Sequence, residues 1–443
     1  MFRNVTPFSS PRALVLIAAV VFAFDPRLGQ AADDSVIGAR FDDSIDVAFP
    51  ATSGVVDVTK APYFARGDGR TDDTAALQQA LDDVMGLHKV LYFPAGTYLV
   101  SKTLTWKKKN SAGRDAWGKN YIQGRNVSKT IIRLQDGVFT DEKNPQSIMW
   151  CGGFGSADWF HNYIQDVTFD VGRNNPGAIG LQFYSNNSGA VRDCRILAAE
   201  GSGLIGLDLG HRDMNGPLLV RNCEIVGFRR GVATARAVNG QTFERLTLRG
   251  QTEVGFENAG QSVSVRGLLS DNAVPALKLY GFTCVVDSKL IGRPGAESHP
   301  AVINYNHGRL FLRDVETSGY RRAVGDVETP DSAAAWRISG PDKPGSAGPL
   351  VAEYSSHPPT ILFPSPARSL RLEVKESPDV FREPTEKWAN VDDFGADPTG
   401  EKDSSAAIQK AIDSGARTVF LPGSYALDHT VLIRGAVRRL VGL

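Results

Sequence analysis

The sequence predicts an all-β solenoid, a parallel β-helix, from two periodic patterns and one duplicated start. The first pattern, apolar-x-(Asp/Asn)-x-x-apolar, reads IQDVTF (164–169), VRDCRI (191–196) and VRNCEI (220–225), with weaker copies at 243–248, 265–270, 286–290 and 312–317. Its third positions, 166, 193, 222, 245, 267, 287 and 314, are spaced by 20 to 29 residues. The second pattern is a short strand beginning at Gly180, Gly206, Gly231, Gly255, Ala276 and Ala301, in steps of 21 to 26. Two independent motifs on one beat indicate stacked coils. Their short alternating strands exclude a helical solenoid. The third observation is that GRTDDTAALQQALDD (69–83) returns as GEKDSSAAIQKAIDS (400–414).

The elements follow in chain order. Arg3 and Arg12 precede the apolar run Ala13–Phe24, and Gly29-Gln30-Ala31 supplies a small-residue cleavage site, so residues 1–31 read as a secretory signal. Twelve apolar residues fall short of the roughly twenty that cross a bilayer. The expected location is secreted, periplasmic or cell surface, with no membrane attachment after cleavage. Residues 32–55 are an N-terminal extension. The first β-helix domain is expected over 56–329 and opens on a cap, because an open solenoid end exposes apolar stacks and unpaired strand edges. Asp72 or Asp73 is placed to cap a helix whose Ala76, Leu77, Ala80, Leu81 and Val84 form one apolar stripe. VLYFPAGTYLV (90–100) then supplies a strand, a turn and a second strand.

In the coils, Asp or Asn at the third position suits a sharp bend through left-handed backbone. That bend lets Val220 and Ile225 both face inward despite their odd spacing. Residues 330–388 carry 10 of the 24 prolines and read as an ordered but irregular connector. Residues 389–443 begin a second β-helix domain and stop early, so the chain is expected to be the front part of a two-solenoid protein. Cysteines 151, 194, 223 and 284 allow two disulfides in an exported protein. Cys194 and Cys223 take equivalent repeat positions, which equally allows stacked free thiols. With 49 basic and 49 acidic residues, nothing draws the chain to nucleic acid.

GDGRTDDTAALQQAL followed by VLYFPAGTYLV resembles the start of the right-handed β-helices of the pectate lyase superfamily, which includes glycoside-hydrolase-28-related proteins. Two such starts resemble the tandem β-helix exo-β-1,3-glucanases of glycoside hydrolase family 55. The resemblance implies a right-handed coil and a polysaccharide substrate. It transfers no catalytic residue: the Asn-Thr-Asp and Arg-Ile-Lys elements of polygalacturonases and the Trp-x-Asp-His element of calcium pectate lyases are absent. In the tandem glucanases it implies a catalytic acid in the second helix or the cleft between the two, beyond the coils present here.

Candidate residues therefore come from strand parity. Leu181 and Phe183 face in, turning Gln182 out, and the same outward column holds Asp208, Ala233, Glu257, Lys278 and Ile303. Coils lie about 4.8 Å apart, which separates the Asp208 and Glu257 backbones by about 9.6 Å. Inverting glycosidases hold their carboxyls about 6.5–9.5 Å apart. In this reading Glu257, paired with Lys278, is the base, Asp208 the proton donor and Ala233 an open floor for a sugar. The competing reading is a solvated outer face carrying ordinary charges. Gln182 in the column, and His211 and Arg212 beside it, are candidate substrate contacts. Trp150 and Trp159 are candidate sugar-stacking rings, or else plugs in the solenoid's edge.

No phosphate loop, dinucleotide fingerprint or zinc spacing is visible, so no cofactor or metal is expected. The function expected is an exported glycoside hydrolase acting on a polysaccharide. The alternatives are a lyase on uronic-acid polymers and a non-catalytic glycan-binding or surface-structural solenoid.

Overall fold

The computed structural model describes residues 54–327 apart from 88, 117, 153–157, 237–238 and 306–307. It also describes 345–358, 362–364, 366, 369, 371–373 and 387–442. The expected signal segment, most of the expected extension and most of the connector lie outside the described residues.

The corner residues set the architecture. Asp166, Asp193, Asn222, Arg245, Gly267, Asp287 and Asp314 all have φ between +49° and +66°. Each bends the chain between two inward-facing side chains, and Val220 and Ile225 are both fully buried. Arg245 takes this conformation without the local bonding of Asp or Asn, at a cost of roughly 1–2 kcal/mol, because coil stacking on both sides imposes it. The corners also bond along the stack: Asn222 Nδ2 donates to Asp193 Oδ1 at 2.8 Å and Gln123 Nε2 to Asp166 Oδ2 at 2.7 Å.

Three faces result, all parallel within the coils, and the chain is a right-handed parallel β-helix. The first face includes Tyr121–Gly124, Tyr163–Gln165, Gly189–Arg192, Leu218–Arg221, Gly240–Glu244 and Ser262–Arg266. After the corner, the second face runs from Thr130–Leu134 through Thr168–Asp170, Arg195–Leu197, Glu224–Val226 and Thr247–Arg249 to Leu269–Asn272. In the last two coils one long strand, Phe282–Gly292 or Arg309–Ser318, serves both faces. The third face has nine strands, from Leu104–Thr105 to Arg322–Val327, and contains the whole second sequence pattern.

Glycines open those third-face strands because of a close approach inside the coil. A Cβ at Gly180 would lie 2.2 Å from Ile196 Cγ2, and one at Gly206 2.3 Å from Ile225 Cγ2. Next to them Leu181, Leu207, Val232, Phe256, Leu277 and Val302 stack in register, each with no exposed area.

Helix α1 (Thr74–Val84) lies over the first coil with Leu77, Ala80, Leu81 and Val84 buried and Ala76 partly so. Asp73 does not cap it. Its carboxylate instead accepts from Arg66 N and Gly67 N at 2.7 and 2.9 Å, holding the preceding loop, while Asp72 Oδ1 accepts from Thr74 N at 3.0 Å. Gln78 fastens the helix to the third face as if it were a neighbouring strand: Nε2 donates to Thr105 O and Oε1 accepts from Thr105 N, both at 2.8 Å. Gln78→Ala leaves both Thr105 groups unpaired and is expected to lower stability by about 1–3 kcal/mol, read as a lower denaturant midpoint at unchanged slope.

The far end is closed by a strand that the connector was not expected to contain. Leu350–Ser355 pairs antiparallel with Arg309–Ser318 and buries Val351 and Tyr354. An antiparallel closing strand satisfies the last edge without adding another coil, so this part of the connector is regular rather than irregular.

The second copy repeats the first copy's helix, clamp, ion pair and the register of one sheet. Helix α2 (Ser405–Asp413) accompanies a parallel sheet of Ala389–Asn390, Thr418–Leu421 and Arg439–Gly442. Gln409 clamps Leu432 through its carbonyl (3.2 Å) and N–H (2.8 Å), as Gln78 clamps Thr105. Arg434 pairs with Asp413 at 2.7 Å as Lys107 pairs with Asp82. Leu427, Ile433 and Leu440 are 53%, 64% and 46% exposed, whereas their counterparts Val100, Trp106 and Ile122 are buried under the next coil.

The cysteines are free thiols, with Cys151, Cys194 and Cys223 buried and Cys284 half-buried. Burial pushes the Cys151 and Cys194 thiols well above their ordinary range. A thiol reagent is expected to titrate one group, Cys284, in the folded protein and all four after denaturation; zero in the denatured, unreduced chain overturns the free-thiol assignment. Among the described residues no helix is long and apolar enough to cross a membrane.

Candidate functional site

The third face displays one unbroken outward column. Thr105, Trp150, Gln182, Asp208, Ala233, Glu257, Lys278 and Ile303 are successive register partners. Parity alone placed six of these. Trp150 joins them for the same reason, since Met149 and Cys151 on either side of it are buried.

Hydrogen bonds fix the upper half of the column. Ser147 Oγ donates to Gln182 Oε1 at 3.0 Å, and Gln182 Nε2 donates to Asp208 Oδ2 at 2.9 Å. Asp208 Oδ1 accepts from Gly210 N at 2.8 Å, and the residue is only 6% exposed. Both carboxylate oxygens thus accept bonds from fixed donors. Ala233 is not an open floor. It is buried in an outer apolar cluster with Ile179 and Ile205, so the surface between the two carboxylates is closed and greasy.

Glu257 sits between two cations. Arg230 Nη1 donates to Oε2 at 3.0 Å, and Lys278 Nζ lies 3.5 Å from Oε1. The Lys278 contact follows from adjacent coils. Arg230 was missed because it occupies the neighbouring outward column, in register with Ile205 and Val254. Beside Lys278 is a second unforeseen feature: Tyr280 and Tyr305 stack with centroids 4.1 Å apart, and the ammonium lies 5.7 Å from the Tyr280 centroid. The two tyrosines follow ALKL and AVIN at the same offset, a signal already present in the repeat.

His211 lies against the column, its ring edge-on to Trp150 and Tyr184 at 6.1 Å each and Nε2 3.3 Å from Gly152 O. Burial lowers its pKa, partly opposed by the charge of Asp208. Arg212 is exposed at the rim. Trp159 does not join the site. It is fully buried, tilted against Trp106 with centroids 6.0 Å apart, and so fills the interior instead of offering a face to a sugar. Among the described residues no group of three His, Cys, Asp or Glu side chains is placed to hold a metal ion.

Charged and aromatic side chains thus stand in register along one face of a parallel β-helix. Comparison with known families gives it a narrower place. The chain belongs to the rhamnogalacturonase A/epimerase, pectate lyase-like family, whose sequence model matches residues 59–278 and 388–439.

Alginate lyase 7 of Azotobacter vinelandii is 37% identical over 128 residues, 28% of this chain and 14% of that protein. Glucan 1,3-beta-glucosidase of Cochliobolus carbonum is 30% identical over 127 residues, again 28% of this chain and 14% of that protein. The matched stretch therefore spans about a seventh of either relative. Among solved structures, ORF18 of Geobacillus virus E2 superposes with a TM-score of 0.39 and 16% identity, covering 60% of this chain and 62% of that one.

Proposed function

We propose that the protein is an exported glycoside hydrolase that lays a polysaccharide along the third face, with Glu257 as the base that activates water. The observation that carries the reading is Glu257 itself, a carboxylate held by Arg230 and Lys278 in the same outward column as Asp208. A carboxylate fixed on both oxygens is aimed, and a base must be aimed within hydrogen-bond reach of its proton. Asp208 is the partner carboxyl, with its backbone about 9.6 Å away by coil spacing, close to the carboxyl separation of about 6.5–9.5 Å used for inversion. To donate a proton it must release the Gln182 amide from Oδ2. A sugar hydroxyl that takes over that amide frees the oxygen. Trp150, half-buried in the same column, gives sugar C–H faces a ring to pack on.

A second reading is favoured by one feature. Arg230 and Lys278 put two cations around one carboxylate, a surplus of positive charge suited to a uronate, and a lyase needs that charge where a base removes a proton. One experiment separates them. The full chain is incubated with neutral β-glucans and with uronic-acid polymers, following reducing ends and near-ultraviolet absorbance together. Reducing ends without an absorbing double bond support hydrolysis. Both signals on uronic polymers support the lyase. Neither signal on any polymer sinks both and leaves the binding solenoid.

A further inference from the structure

A second groove lies away from the third face, on the outside of the first. Two outward columns form it over the late coils. Ser262, Phe282 and Arg309 are register partners on successive strands, and two residues further along each strand stand Ser264, Cys284 and Phe311. Gly240 and Thr242 continue the columns on the coil before, and Ser355–Pro358, at the end of the closing strand, wall off the other side. The trough is shallow and open to solvent, with a volume of about 550 Å³.

Its shape follows from side-chain size. On two coils both columns carry only glycine, serine and threonine, so the surface is low and lined with hydroxyls. On the next coil it rises abruptly to Phe282, 51% exposed. The Arg309 guanidinium, one coil further, lies 5.6 Å from the ring centroid, so the ring is braced from that side. The small residues on the other side leave it uncovered. A large aromatic held exposed and braced beside a polar trough offers a ring face on which a ligand can stack.

The lining chemistry selects the occupant. The backbone of these strands is spent on the inter-coil ladder, so a peptide cannot add as another strand. Among the described residues lining the trough, Arg309 and His357 are the basic ones, too few for a phosphate backbone, which asks for many cations. Hydroxyls repeating every ~4.8 Å across the coils, on the scale of one pyranose ring, and an aromatic plane fit a chain of sugars.

We propose that this trough binds an uncharged stretch of glycan, at a site separate from the third-face column. The proposal rests on the family being carbohydrate-active and not on the hydrolase reading. Its occupancy would hold a polymer against the protein while the third face acts on another part of it.

The test is affinity electrophoresis of the full chain through gels containing neutral soluble polysaccharides, with Phe282→Ala and Ser264→Tyr as variants. Both positions are solvent-facing, so both variants fold. Each is expected to weaken retardation by about tenfold, as removal or obstruction of an aromatic anchor does. Product release from short oligosaccharides is expected to stay at the wild-type rate. The half-buried Cys284 in the trough floor gives an independent reading: the retarding polymer is expected to slow its reaction with a thiol reagent. Wild-type retardation in the Phe282→Ala variant, unprotected Cys284, or a wild-type chain that no neutral polymer retards overturns the proposal. Failure of the hydrolase reading appears differently, as absent product with retardation intact.

Discussion

Leu207→Asp is expected to yield no folded protein. Leu207 has no exposed area and lies in register between Leu181 and Val232 in the central stack. Removing it forfeits roughly 1.5–3 kcal/mol of apolar burial. Placing a carboxylate there with no partner adds several kcal/mol more. The sum reaches the 5–15 kcal/mol that ordinarily separates folded from unfolded chains. The damage does not stay local, because in a solenoid each coil is stabilised through its immediate neighbours. Losing the coil at 205–209 separates the capped end from the closed one. The control is one residue away: Asp208→Asn changes a side chain on the opposite face of the same strand and is expected to fold. Circular dichroism and gel filtration check both. A soluble, cooperatively melting Leu207→Asp protein would falsify the assignment of this column to the interior.

The same alternation explains why so much of the architecture was legible in the sequence. A coil of a β-helix places each residue by parity within a strand and by the bend that resets parity. Both leave marks: Asp or Asn at the bend, and a small residue where the third-face strand begins. The bend positions read from the pattern all have left-handed backbone, including Arg245, whose side chain gave no hint of it. The outward column, too, was readable through Ile303, because register in a parallel stack is simple counting.

What escaped was whatever depends on how far a side chain reaches. Arg230 sits in another column but is long enough to meet Glu257. Ala233 is overhung by isoleucines that parity places in a different row. Trp159 belongs to a loop, where no periodicity says which way a ring turns. The closing strand Leu350–Ser355 pairs antiparallel, so the repeat could not announce it.

The second copy shows the complementary limit of such counting. Its clamp, ion pair and sheet register match the first copy residue by residue, so the repeat is structural and not a chance similarity of composition. The matched positions differ only in what lies over them, which is a property of the coils around a motif and cannot be read within it. Gln409 and Arg434 are therefore the informative residues there, since their bonds form whether or not Ile433 is covered.

Glu257→Gln is expected to lower polysaccharide turnover by about 10²–10⁴-fold, the usual worth of a positioned acid–base group, with the fold intact. The substitution keeps size and hydrogen-bonding reach but removes the charge that accepts the proton. Its structural cost is small, because an ion pair at a partly exposed surface is worth about 0–1 kcal/mol, and the Glu257, Arg230 and Lys278 side chains retain 16%, 28% and 25% exposure. Thermal melting is therefore expected to shift by no more than a few degrees while kcat collapses and KM barely moves. That split separates catalysis from support: a carboxylate that only braced Arg230 and Lys278 would, when neutralised, loosen both cations and disturb binding before turnover. Asp208→Asn makes the complementary test, since Oδ2 must give up the Gln182 amide before it carries a proton. If both variants turn over polymer at the wild-type rate, the charges along the third face are ordinary solvated ones, and chemistry must be sought away from this column.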